Sequence, residues 1–165
     1  MKKEFAIYVQ QYSADLTRLC MSLCGNKTEA EDLFQETWLK AMRHYDKYDK
    51  SKPFDKWLYS ICVNTYKNTL NSARRRFQYL FKTGEESDSF FNSIPEINAN
   101  NREDYYLLHT AVRRLSMKKR TVIVLYFFKG YSESEIAEIL KIPVGTVKSR
   151  LSAAKTEIKR RMTDE

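Results

Sequence analysis

Ser132-Glu133-Ser134-Glu135-Ile136-Ala137-Glu138-Ile139-Leu140-Lys141-Ile142-Pro143-Val144-Gly145-Thr146-Val147-Lys148-Ser149-Arg150-Leu151 reads as two helices joined at a tight corner. Ser132 is a capping residue, and Glu135 three positions later completes a capping box. Ala137 is small, as the inner face of two steeply crossing helices requires. Ile136, Leu140, Ile142, Val147 and Leu151 supply the apolar contacts that fix the crossing. The link Lys141-Ile142-Pro143 is short enough for a helix-turn-helix. Its second helix presents Thr146, Lys148, Ser149, Arg150, Ser152 and Lys155 away from the core. Donors so placed reach base edges and phosphates in a DNA major groove. A plain helical hairpin with a basic solvated face has the same spacing, so the pattern fixes the fold of this stretch more firmly than its task.

Upstream, Lys118 to Lys129 forms a helix ended by Gly130. Tyr105, Leu107, Leu108, Ala111, Val112 and Leu115 mark another. Before these, Phe81 to Arg102 loses all periodicity in Asn-rich text and Thr-Gly-Glu-Glu-Ser-Asp-Ser, the composition of a linker. The N-terminal part is periodic again. Phe5, Tyr8, Val9, Tyr12, Leu16, Leu19, Cys20 and Leu23 keep the i, i+3, i+4 spacing of one helical face, and Gly25-Asn26 stops it. Thr28 with Glu31 reads as the capping box of a second helix, whose stripe is Ala30, Leu33, Phe34, Thr37, Trp38, Ala41 and Tyr45. After the polar break Asp46 to Pro53, a third helix runs from Phe54 to about Arg76. It buries Trp57, Leu58, Ile61, Cys62 and Thr65, while Tyr59 and Tyr66 lie off that stripe. The expected fold is all-α, with two small helical domains at 1–80 and 104–165 and an acidic connector at 81–103.

Charge sharpens the division. The 165 residues carry a net +8, with four Gly and three Pro. Residues 1–80 hold 14 basic against 9 acidic side chains, residues 104–165 hold 13 against 7, and residues 81–103 hold 2 against 5. Two basic blocks flanking an acidic connector suit a polyanionic partner, nucleic acid or an acidic membrane surface. Three cysteines, Cys20, Cys24 and Cys62, with only His44 and His109 beside them, argue against a zinc site. They fit a reducing cytoplasm. The longest apolar run, Val122 to Phe128, is too short to span a bilayer, and Phe5 to Val9 too short for the core of a signal peptide. Neither export nor membrane insertion is expected.

The stretch from Gly130 to Leu151, above all Gly145-Thr146-Val147-Lys148-Ser149-Arg150-Leu151, resembles the C-terminal domain of extracytoplasmic-function sigma factors, a group of the sigma-70 family. The resemblance implies that this part reads the duplex minus-thirty-five promoter element, with Thr146, Lys148, Ser149, Arg150, Ser152 and Lys155 as DNA contacts. Two positions depart from the pattern. Lys141 stands where many relatives have a turn glycine, and Ala153 where some have a basic DNA contact. Ala30-Glu31-Asp32-Leu33-Phe34-Gln35-Glu36-Thr37-Trp38 resembles the segment that grips the β′ clamp helices of core RNA polymerase, implying roles for Asp32, Leu33, Gln35 and Glu36. Asp32, Gln35 and Glu36 share one helical stripe. Phe54 to Ile61 and Val63 to Asn68 resemble the segment that opens the minus-ten element. That chemistry asks for cations on the backbone, a pocket for an unstacked base, and amides or rings to read it. Lys52, Lys56, Lys67, Arg74 and Arg75 meet the first need, the loop at Phe54 the second, and Asn64, Asn68, Tyr59 and Tyr66 the third. The resemblance runs from about Tyr12 to Arg161. Implied partners are core polymerase (β′ clamp helices and β flap), promoter DNA, and an anti-sigma factor, often membrane-bound, that would hold the protein at the inner membrane face.

Two other classes stand beside this one. A DNA-binding regulator that never touches polymerase would use the same C-terminal motif. A nucleic-acid enzyme would need catalytic or metal-binding clusters, and no such spacing occurs. No catalytic residue, metal, cofactor or small-molecule substrate is therefore expected.

Overall fold

The computed structural model describes residues 2–80 and 102–163, with side chains from 3–73 and 106–163. The chain divides into two compact units, Met1–Asp88 and Ser89–Glu165. The first holds α1 (Lys2–Leu23), α2 (Lys27–Arg43), a short 3-10 turn (Tyr45–Lys47) and α3 (Phe54–Leu80). The second holds α4 (Arg102–Arg113), α5 (Met117–Ile123), a π-helical turn (Val124–Phe128), α6 (Glu133–Leu140) and α7 (Val144–Thr163). All regular structure among the described residues is helical. The expected connector lies outside the described residues except at its end, where Arg102 and Glu103 already belong to α4.

In the first unit α1, α2 and α3 pack on one another. Leu16, Leu19, Leu23, Leu58, Cys20 and Cys62 are fully buried, and each large apolar side chain so buried contributes about 1.5–3 kcal/mol. The three cysteines are free thiols, and the Cys20 and Cys62 sulfurs lie 3.8 Å apart. A second cluster of rings sits beside this aliphatic core. Phe54 stacks on Tyr8 with centroids 4.0 Å apart, and Tyr48, Trp57 and Trp38 surround it. Burial pushes the Tyr48 hydroxyl up to about 12.

Two expectations need correction here. The cap of α2 is Asn26, whose side chain accepts a hydrogen bond from the Glu29 N–H at 2.9 Å, so Thr28 lies inside the first turn and Glu31 just past it. Asparagine caps at least as well as threonine, and the helix starts at the earlier of the two sites. The helix expected from Lys118 to Lys129 is α-helical only to Ile123. From there the Lys129 N–H bonds the Val124 carbonyl five residues back, at 3.1 Å. This wider turn carries Tyr126, Phe127 and Phe128 before Gly130, at φ +74°, ends it.

In the second unit α7 packs on α4, α5 and α6. The Ser132 capping box forms in both directions, with bonds of 3.2 and 2.8 Å to Glu135. Ile136, Val147, Leu151 and Ala154 are buried at the crossing of α6 and α7. Lys141 closes α6 in the left-handed conformation, φ 53°, the cap conformation that glycine adopts most readily.

Candidate functional site

The corner between α6 and α7 leaves one flank of α7 open. At 100° per residue, Lys148, Ser152, Lys155 and Lys159 fall in a single row on one flank, about 100° round the helix from the buried Val147, Leu151 and Ala154. All four are exposed, and Ser149 beside them is exposed as well. Thr146 and Arg150 sit half-buried toward the other flank, so the structure does not put all six expected contacts in one line. Lys148 makes only a loose, exposed ion pair with Glu133, at 3.9 Å, an interaction of small net worth that a phosphate readily displaces. Lys159 was not among the expected contacts. Its signal was present in the sequence as a cation four residues beyond Lys155.

In the first unit, Asp32 and Gln35 are exposed on α2 and Glu36 is half-exposed. Glu36 pairs with Lys40 at 3.5 Å along the same helix. Leu33 departs from expectation, since it is buried between the helices and is core rather than contact. Next to Gln35 opens an apolar groove of about 760 Å³ between α1 and α2, lined by Phe5, Val9, Phe34, Trp38, Leu39 and Met42 among others. Leu39 and Met42 are well exposed at its mouth. Sequence reading passed over both. Their signal was apolar character off the buried stripe of α2.

For the minus-ten segment the structure separates polar from aromatic candidates. Asn64, Lys67 and Asn68 are exposed and share one row of α3, and Lys52 is exposed in the loop before the helix. Lys56 is half-buried. The side chains of Arg74 and Arg75 lie outside the described residues, on the last turns of α3. Phe54, Tyr59 and Tyr66 are all buried, which corrects the expectation that they are available to unstacked bases. The cause is the width of the buried face of α3. Packing against both α1 and α2, it takes in Leu58, Tyr59, Cys62, Val63, Thr65 and Tyr66, and leaves Trp57 only half-buried. Burial raises the Tyr59 hydroxyl well above its ordinary value. The loop at 48–53 is pinned, with the Tyr48 hydroxyl donating to the Lys52 carbonyl at 2.5 Å and Ser51 held by Asp49. The Phe54 ring is itself buried against Tyr8, Tyr48 and Trp57.

Among the described residues no three of His, Cys, Asp and Glu stand together as a metal would require, and no helix is long and apolar enough to cross a membrane.

Residues 8–76 match the family Sigma-70 region 2, and residues 105–158 match Sigma-70, region 4. The chain is 32% identical to the ECF RNA polymerase sigma factor SigW of Bacillus subtilis, covering 97% of this chain and 89% of that protein. It is 30% identical to the RNA polymerase sigma-H factor of Pseudomonas aeruginosa, covering 95% and 85%. The fold is similar to that of the sigma factor RpoE in complex with the anti-sigma factor NepR from Bartonella quintana. That likeness has a TM-score of 0.81 and 24% identity over 98% of both chains. It is also similar to CnrH in complex with the cytosolic domain of CnrY, with a TM-score of 0.69 and 21% identity over 100% and 91% of the two chains.

Proposed function

This chain belongs to the sigma-70 family, in its extracytoplasmic-function group, and from that premise we propose how its two units divide the work of promoter-specific initiation. As an RNA polymerase sigma factor it binds core polymerase and promoter DNA. Residues 1–80 hold the polymerase and open the minus-ten element, residues 104–165 read the minus-thirty-five element, and residues 81–103 tether them. The open basic row of α7 carries this reading, because it combines unburied cations with the second helix of a helix-turn-helix. Lys148, Ser149, Ser152 and Lys155 face the groove, while Thr146 and Arg150 work from its edge. On α2 the polymerase contact consists of Asp32, Gln35 and Glu36 with the adjoining groove. The acidic and amide stripe meets a basic helix of the β′ clamp, and Leu39 and Met42 take its apolar side chains. The Trp38 ring forms part of the wall of that groove. The β flap is held by the second unit.

On α3 and the loop before it, Lys52, Lys56, Lys67, Arg74 and Arg75 hold the DNA backbone while Asn64 and Asn68 read an unstacked base. Phe54, Tyr59 and Tyr66 shape α3 from beneath. An anti-sigma factor competes for the polymerase-binding surfaces until a stress signal releases the protein, which works in the cytoplasm or at the inner membrane face. It has no catalytic chemistry of its own.

Run-off transcription with core polymerase on genomic fragments tests the reading and returns a promoter duplex. Lys148→Ala with Arg150→Ala should weaken binding to the upstream box and leave polymerase binding intact, whereas Asp32→Ala with Gln35→Ala should do the reverse. Identical behaviour of the two pairs would refute the division of labour.

A further inference from the structure

Phe127 is more than half exposed at 57%, an unusual setting for so large an apolar ring, and it lies on the π-helical turn with Tyr126. The two rings meet edge to face, their centroids 4.9 Å apart. Above both stands the Lys155 ammonium, 5.4 Å from each centroid. These distances are within the range in which a ring quadrupole attracts a cation. Lys155 belongs to the exposed basic row of α7. The π-helical turn sets this up. It carries Tyr126 and Phe127 at consecutive positions under Lys155, and such turns occur frequently at functional sites.

We propose that Tyr126 and Phe127 form an aromatic cradle that fixes the Lys155 ammonium at the rim of the DNA-reading face, making these rings positioning residues for promoter recognition. This rests on the assignment of the α7 row to DNA. A free lysine loses rotamer freedom when it meets a phosphate. One already held over two rings has less to lose, and the weakly hydrated face of the rings leaves its N–H donors pointing outward. The cradle thereby converts a flexible point charge into a directed contact. Phe127 is exposed because its partner is a cation shared with the ligand.

The test uses core polymerase loaded with each variant of the full chain and titrated against the promoter duplex at several salt concentrations. Lys155→Ala should weaken binding and reduce the slope of log affinity against log salt by about one. Phe127→Leu should weaken binding about two- to five-fold, the worth of an exposed cation–π contact. Phe127→Trp should retain wild-type affinity. On the Lys155→Ala background, Phe127→Leu should have no further effect. In the free protein, the ε-methylene protons of Lys155 should show an upfield ring-current shift that Phe127→Leu removes. Wild-type binding by Phe127→Leu, an equal loss on both backgrounds, or absence of the ring-current shift overturns the cradle. If Lys155→Ala alters neither affinity nor salt slope while the shift is present, the DNA assignment of that position fails, and the cradle's role in recognition falls with it.

Discussion

Lys141 pays a conformational penalty that its neighbours avoid. At φ 53° its Cβ crowds the following carbonyl, a cost of about 1–2 kcal/mol for an ordinary L-residue. Glycine would remove that cost while giving up about 0.5–1 kcal/mol of chain entropy. Lys141→Gly is therefore expected to stabilise the second unit by up to about 1 kcal/mol, and Lys141→Val to destabilise it, both readable as shifts in the thermal midpoint. The position was conspicuous in the sequence because a lysine occupied a turn that favours glycine. Tyr59 and Tyr66 were not legible in the same way. Stripe counting assumes one packing partner per helix, and α3 has two, so residues two and nine positions past Trp57 are buried while Trp57 itself is only half so. Which side chains remain available to DNA on such a helix is decided by tertiary packing.

Among the elements, α6 was readable from its ends. A serine, a glutamate three residues on and an apolar inner face define it, and each forms the contact its chemistry demands. The π-helical turn left no such mark, because Val124 to Phe128 has the apolar character of either helix type and only the hydrogen-bond register separates them. The pairing of α5 with α7 was equally hidden. Glu157 on α7 accepts from Lys119 on α5 at 2.8 Å and from Arg161 at 2.9 Å. These two bonds hold its carboxyl below the ordinary value of 4.5. A carboxylate whose folded pKa is lowered stabilises the fold in its ionised form. That contribution is complete above pH 4.5 and disappears as the pH falls through the lowered folded value. Glu157→Gln should thus melt below wild type at neutral pH, with the difference closing as acid titrates the wild-type carboxylate. A gap that stays constant down to pH 3 would show the pair to be electrostatically idle.

The molecule as a whole carries its excess charge in two places, and that arrangement explains how modest contacts suffice. Each unit offers a handful of exposed cations. Lys148 and Lys155 on one, and Lys52 and Lys67 on the other, are single point charges of limited individual worth at physiological salt. Joined by the proposed tether of 81–103, one unit bound to its promoter box raises the local concentration of the other at the second box. Such linkage multiplies affinity by about 10²–10⁴ without any new contact. A protease site placed within 81–101 provides the measurement. Cleavage should lower promoter affinity in the presence of core polymerase by a factor in that range, while the first unit, with α2 and its groove untouched, continues to bind polymerase. If the cut chain bound the promoter as tightly as the intact one, the hold of each unit on polymerase would suffice by itself, and the tether would add no affinity.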